Sequence, residues 1–142
     1  MTDARTPKPP VRDFEDLVAF QQARELHKLV DAACLSASFR ARATLAQQIR
    51  DASASVMANL AEGFGRGYRG HLHHAICLAK GSCAEVRSHA IACHDEGLID
   101  SKTFEEVRAK AQRVEALLGG FRRAVAANRG PEPSVPEKRD TG

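Results

Sequence analysis

Apolar positions along this chain recur at steps of three and four residues in four long stretches, separated by short polar or glycine-containing breaks. In the first stretch, Phe14 to about Ala37, the residues Phe14, Leu17, Val18, Leu26, Leu29, Val30 and Ala33 hold helical spacing, and Asp13 stands where an N-cap belongs. The pattern loosens over Ser36 to Arg42 and resumes with Leu45, Ile49, Ala52, Val56, Asn59 and Gly63, an apolar seam with one polar residue set into it. After a glycine cluster, Leu72, Ile76, Ala79, Cys83, Val86, Ala90 and Cys93 repeat the alternation. Gly97 is placed as a C-cap, Asp100 or Ser101 as the next N-cap, and Phe104, Val107, Ala111, Val114, Leu118, Phe121 and Val125 form the most regular seam.

No segment alternates with period two, so the spacing predicts an all-α chain. Four helices of about 22 to 27 residues make rods of roughly 33 to 40 Å, and short connections make successive rods antiparallel. The expected architecture is an up-down-up-down four-helix bundle over 14–128. It is flanked by a flexible N-terminal segment, 1–13, and a disordered tail, 129–142, that carries three prolines. At 142 residues the chain has room for one modest core, and its 43% apolar content is carried largely by alanine, with no Trp and one Tyr. Small side chains favour close helix approach over an open ligand cavity.

Neither a basic-then-apolar leader nor a membrane-length apolar run is present in the sequence, which suits a cytoplasmic protein. Cys34, Cys77, Cys83 and Cys93 form no C-x-x-C pair and read as small buried hydrophobes in a reducing compartment. A formal net charge of +3 is too small to imply nucleic acid, so the placement of charge matters more.

Gly65, Gly67 and Gly70 spell G-x-G-x-x-G, the dinucleotide fingerprint. That motif works where a strand turns sharply into a helix, and here a helix precedes it. The expected use is different: Gly65 or Gly67 ends the second helix with positive φ, and Gly70 begins the third. Gly63 continues an apolar seam, where a missing side chain admits a neighbouring helix, and Gly81 is a candidate for the same use. Each costs about 1 kcal/mol of helix propensity relative to alanine.

The stretches "FEDLVAFQQAREL" (Phe14 to Leu26), "LAQQIRDASASVMANLAEGFGR" (Leu45 to Arg66) and "AKGSCAEV" (Ala79 to Val86) resemble the four-helix-bundle proteins encoded in intervening sequences of bacterial 23S ribosomal RNA genes. Gln48, Ile49, Arg50, Ala52, Ser55, Val56, Asn59, Leu60, Ala61, Glu62, Gly63 and Arg66, followed by Gly81, Ser82 and Glu85, carry the likeness. The resemblance implies a ring-shaped homopentamer with no established enzymatic activity. It also implies a distant similarity to the basic accessory variability proteins that partner the reverse transcriptase of diversity-generating retroelements. This chain departs from the pattern with Phe20 where an aromatic Trp or Tyr is usual, with Leu72 and Ala75 in place of two Phe, and with Lys80 in place of a leucine.

Three constellations bear on chemistry. Asn59, with Arg50, Glu62, Ser82 and Glu85 near the same faces, suggests a buried network that fixes helix register or builds a subunit interface. Catalysis is the lesser alternative, since a di-iron bundle needs Glu-x-x-His on two helices. His71, His73, His74 and Cys77 have zinc-like spacing but no second ligand pair, so a solvated first turn is expected and no metal or other cofactor is assigned. Up-down topology brings Arg66, Tyr68, Arg69, His71, His73, His74, Arg122, Arg123 and Arg129 to one end, against Asp95, Glu96 and Asp100 beside Arg40 and Arg42 at the other. Repeated around a ring, with Tyr68 as a stacking surface, the basic group suits RNA or DNA. The expected protein is therefore a non-enzymatic oligomeric binding module. The competing expectations are a module that docks on a protein partner, or a metal-binding bundle using Glu62, Glu85 and the histidines.

Overall fold

A computed structural model of the chain describes residues 11–67 and 69–127. A short 3-10 turn, Phe14–Asp16, precedes α1 (Val18–Cys34), and a second 3-10 segment, Ala37–Arg42, leads into α2 (Ala43–Arg66). Then come α3 (Arg69–Asp95) and α4 (Ser101–Ala127), and no strand occurs among the described residues. Asn128, Arg129, Tyr68 and the expected tail lie outside the described residues, as do residues 1–10 of the expected flexible segment.

Each helix packs on the next and α4 returns to α1, closing a four-helix bundle. The partners across each seam run in opposite directions. Between α1 and α2, His27 meets Ser53, Asp31 meets Arg50, and Cys34 meets the carbonyl of Ala46. Between α2 and α3, Ser55 meets Ser82 while Gly63 lies against Ala75. Between α3 and α4, Arg87 pairs with Glu115 at 3.0 Å and His94 stacks on Phe104 at 4.6 Å. Lys110 closes the cycle by donating to Gln22 of α1 at 2.9 Å.

The core follows from the apolar stripes. Leu26, Val30, Val56, Leu60, Ile76, Val86, Val107, Val114 and Leu118 are fully buried, and Ala23, Ala79, Ala90 and Ala111 fill the positions where helices approach closely. Burying a Val, Leu or Ile side chain stabilises by about 1.5–3 kcal/mol, so these residues dominate the bundle's stability. Cys83 and Cys93 are among them, and burial pushes their thiols up to about 12 and about 11. Both stay protonated and act as small hydrophobes.

The helix ends have local causes. Gly67 adopts φ 74°, its N–H donating to the carbonyl of Phe64 at 3.2 Å, and so stops α2 after Arg66. Gly97 at φ 75° ends the next helix in the same way, with its N–H on the His94 carbonyl and that of Leu98 on the Cys93 carbonyl. Asp100 caps α4 by accepting from the Thr103 N–H at 2.7 Å, which holds its carboxyl below the usual range.

Several expectations need correction. The first helix does not run unbroken from Phe14 to Ala37. Asp13 caps only a 3-10 turn, Leu17 is extended at ψ 126°, and α1 ends at Cys34. That break rotates the stripe: Val18 is 47% exposed, while Ala19, Ala23 and Cys34 face inward. Ahead of the 3-10 turn the N–H groups of Arg12 and Asp13 both donate to the Asp16 carboxylate, at 3.0 and 3.1 Å. The loosened Ser36–Arg42 stretch is a 3-10 segment anchored by buried Phe39. On α2 the seam steps from Val56 to Leu60, so Asn59 sits half-buried at its edge.

Candidate nucleic-acid interface

The basic end is assembled by the antiparallel order of the rods. Arg66 closes α2, Arg69 opens α3, and α4 brings Arg122 and Arg123 back to the same end. Arg122 and Arg123 are exposed, and Arg69 is half-buried. The group is split by α3. Arg66, His71 and His74 lie on the α2 side, whereas Arg123 lies on the α4 side: a Cβ added to buried Gly119 would stand 3.5 Å from the Arg123 guanidinium and 3.7 Å from Lys80 Nζ.

On the α2 side the surface is a groove of about 290 Å³ between α2 and α3. Asn59, Glu62 and Arg66 come from α2, and His71, His74 and Leu78 from α3. Residues 59, 62, 63 and 66 share one helical face, so the motif that the resemblance rests on lines this groove. Gly63 and Ala75 lie at its base, and a Cβ on Gly63 would run into that of Ala75. His73 does not line the groove.

Arg66 donates twice to one carboxylate oxygen of Glu62, from Nε at 3.1 Å and from Nη2 at 2.8 Å. Both groups are more than half exposed, so the pair contributes only a few tenths of a kcal/mol to the helix. Asn59 donates from Nδ2 to Ser55 Oγ at 3.1 Å, and Ser55 bridges to buried Ser82 on α3 at 2.9 Å. This polar chain orients Asn59 at the groove's edge.

The single network expected around Asn59 is not what forms. Asn59 and Ser82 are joined through Ser55, but Glu62 and Glu85 are both exposed. With Gly63 opposite Ala75, Glu85 lies ten residues further along α3, about 15 Å away along the bundle. The two carboxylates therefore build no common site. Arg50 turns to α1, its Nε 3.5 Å from Asp31. Gly81 is exposed and a Cβ there meets nothing within 4 Å, so no close approach is made at it within the chain.

The sequence pattern does not single out a second polar cluster, His27, Asp31 and Ser53, which the fold assembles. His27 Nδ1 lies 2.7 Å from Ser53 Oγ and Nε2 lies 3.4 Å from Asp31. These residue types in this order resemble a nucleophile with its base, but Ser53 is 0% exposed and its hydroxyl donates to the Arg50 carbonyl at 3.0 Å. The cluster binds α1 to α2. Among the described residues no group of three or more His, Cys, Asp or Glu is placed to hold a metal ion. No helix among them is long and apolar enough to cross a membrane.

The fold and the groove define a class: a small all-α protein whose four helices close one bundle, with a polar motif turned outward between the second and third. A family model for the 23S rRNA-intervening sequence protein matches residues 15–120, and the chain belongs to that family. Among solved structures it is similar to a protein of unknown function from the S23 ribosomal protein family of Bacteroides thetaiotaomicron. The TM-score is 0.67 at 15% identity, over 75% of this chain and 96% of that one. No curated protein matches the chain.

Proposed function

We propose that the protein is a non-enzymatic, cytoplasmic, oligomeric binding module that takes RNA or DNA on its basic end. The observation that carries this is the convergence of Arg66, Arg69, His71 and His74 at the α2–α3 connection with Arg122 and Arg123 at the end of α4. Arginines grouped at one end neutralise neighbouring phosphates and release counterions. Tyr68, beside them in sequence, adds a stacking surface. Salt titration of single-strand binding tests the reading. Wild type binds at low salt with a steep negative slope, and Arg66→Ala/Arg69→Ala flattens that slope by about 0.7 for each phosphate left without its arginine. Equal affinity in both proteins, or none at low salt, defeats it.

Self-association belongs to the same proposal, with a pentameric ring as the expected form. Its support is the outward side of α3, where Ile91 is 50% exposed and Gly81 is exposed with nothing within 4 Å of an added Cβ. The same surface favours a second reading, an accessory module docked on another protein such as a reverse transcriptase. Native mass separates them: a pentamer supports the ring, and a monomer at micromolar concentration leaves the face to a foreign partner.

A further inference from the structure

We propose that the seam between α3 and α4 holds a phosphate group between Lys80 and Arg123, over the bare backbone of Gly119, an inference that rests on the nucleic-acid reading above and adds a defined phosphate contact on the other side of α3 from Arg66.

Two consecutive glycines inside a helix need a reason, since only proline is less favourable there. Gly63 has one in its close approach to Ala75. Gly119 and Gly120 have no such reason. Around a Cβ built on Gly119, the only atoms within 4 Å among the described residues are the charged ends of two side chains, and around one on Gly120 only the second of these returns. Arg123 folds back along α4, with Nη1 3.5 Å from that point on Gly119 and Nη2 3.8 Å from the one on Gly120. Lys80 reaches across from α3 and places Nζ 3.7 Å from the point on Gly119. The missing side chain of buried Gly119 thus leaves open the space that lies between two cations.

No carboxylate stands between them. Glu115, one turn earlier on α4, accepts from Arg87 with both oxygens, at 3.0 and 3.4 Å. Among the described residues neither Lys80 nor Arg123 has an ion-pair or hydrogen-bond partner. Their charged ends lie at most about 7 Å apart, where like charges repel. A shared anion turns that repulsion into attraction. An oxygen rests about 2.8 Å from each charged nitrogen, and two oxygens of one phosphate bridge the remaining span. Lys80 meets the group as a point charge and Arg123 as a planar fork. A carboxylate confines its two oxygens to one plane, whereas phosphate turns further oxygens toward donors that rise from different helices.

Amide NMR of the full chain tests this, because Gly119 and Gly120 report on the seam while Gly65 and Gly67 report on the Arg66 side. The probes, at low salt, are a thymidine strand of about nine nucleotides, inorganic phosphate and acetate. The strand and inorganic phosphate both move the Gly119 and Gly120 amides of wild type, and acetate does not. Lys80→Leu and Arg123→Gln each abolish that movement and flatten the salt slope of strand binding by about 0.7, the share of one phosphate. Lys80→Arg retains both, and Arg123→Gln changes an exposed position, so loss of folding does not imitate loss of the site. Movement by the strand alone assigns the site to the polymer backbone. Strand binding that leaves Gly119 and Gly120 unmoved, or movement that survives both Lys80→Leu and Arg123→Gln, overturns the site and leaves the Arg66 reading standing. A response to inorganic phosphate with no strand bound overturns the nucleic-acid reading and keeps the site for free phosphate. An equal response to acetate overturns phosphate as the ligand, and no response to any probe overturns the site.

Discussion

The two seams on either side of α2 are held in different ways. Toward α3 the contact at the basic end depends on an absent side chain, since Gly63 lets Ala75 come so near that no Cβ fits between them. Toward α1 the contact depends on directional polar groups, with Ser53 Oγ placed 2.7 Å from His27 and Arg50 reaching Asp31 at 3.5 Å. The first seam is intolerant of added volume and the second of weakened hydrogen bonding. A helix in a bundle of small residues thus obtains close approach on one side and a fixed register on the other.

Leu60 is fully buried in the core that both seams enclose, and its replacement is the largest single test. Leu60→Ala is expected to destabilise by about 2–5 kcal/mol, while Asn59→Ala, at the half-buried edge, costs about 1 kcal/mol or less. Urea unfolding at fixed protein concentration compares them, and a larger cost at Asn59 would restore it to the core.

Steric intolerance toward α3 is sharpened by two glycines. Gly63→Ala is expected to cost about 1–3 kcal/mol through overpacking, and Ala75→Gly in the same chain to recover part of it as a favourable coupling. Gly81→Ala meets nothing and raises stability by up to about 1 kcal/mol from helix propensity alone. Matching signs at Gly63 and Gly81 in thermal melts would erase the contrast.

The polar seam is tested at two residues. Ser53→Ala removes a buried hydroxyl that links His27 to the Arg50 carbonyl, and destabilisation of about 1–2 kcal/mol is expected. Asp31→Asn leaves the packing intact and changes stability by under about 1 kcal/mol, because Asp31 is an exposed carboxylate beside His27 and Arg50. A reversed order of these two costs in chemical denaturation would make the ion pair, rather than the serine, the element that fixes register.

Much of the fold is legible in the order of residues. Gly97 and Asp100 mark the third connection, and the apolar stripe of the fourth segment is the buried face of α4. Local signals suffice there because capping and periodicity depend on neighbours within about four residues. The start of the first helix is not legible at Leu17, because a 3-10 turn with a good cap mimics a helix start until the following residue turns extended. Nor is the burial of Asn59, because steps of three and four are both helical, and only packing against α1 and α3 selects Leu60 as the one that faces inward.

The site divides along the same line. Helical spacing alone puts Asn59, Glu62, Gly63 and Arg66 on one face, since positions three, four and seven apart share a side of any α-helix. Tertiary structure decided that this face opens into a groove, that α3 separates it from Arg123, and that Glu62 and Glu85 never meet. It also joined His27 to Ser53 across 26 positions of sequence. The reason is the reach of the determinants: a dihedral pattern is written in adjacent residues, whereas which faces touch is fixed only when separate rods choose a common register.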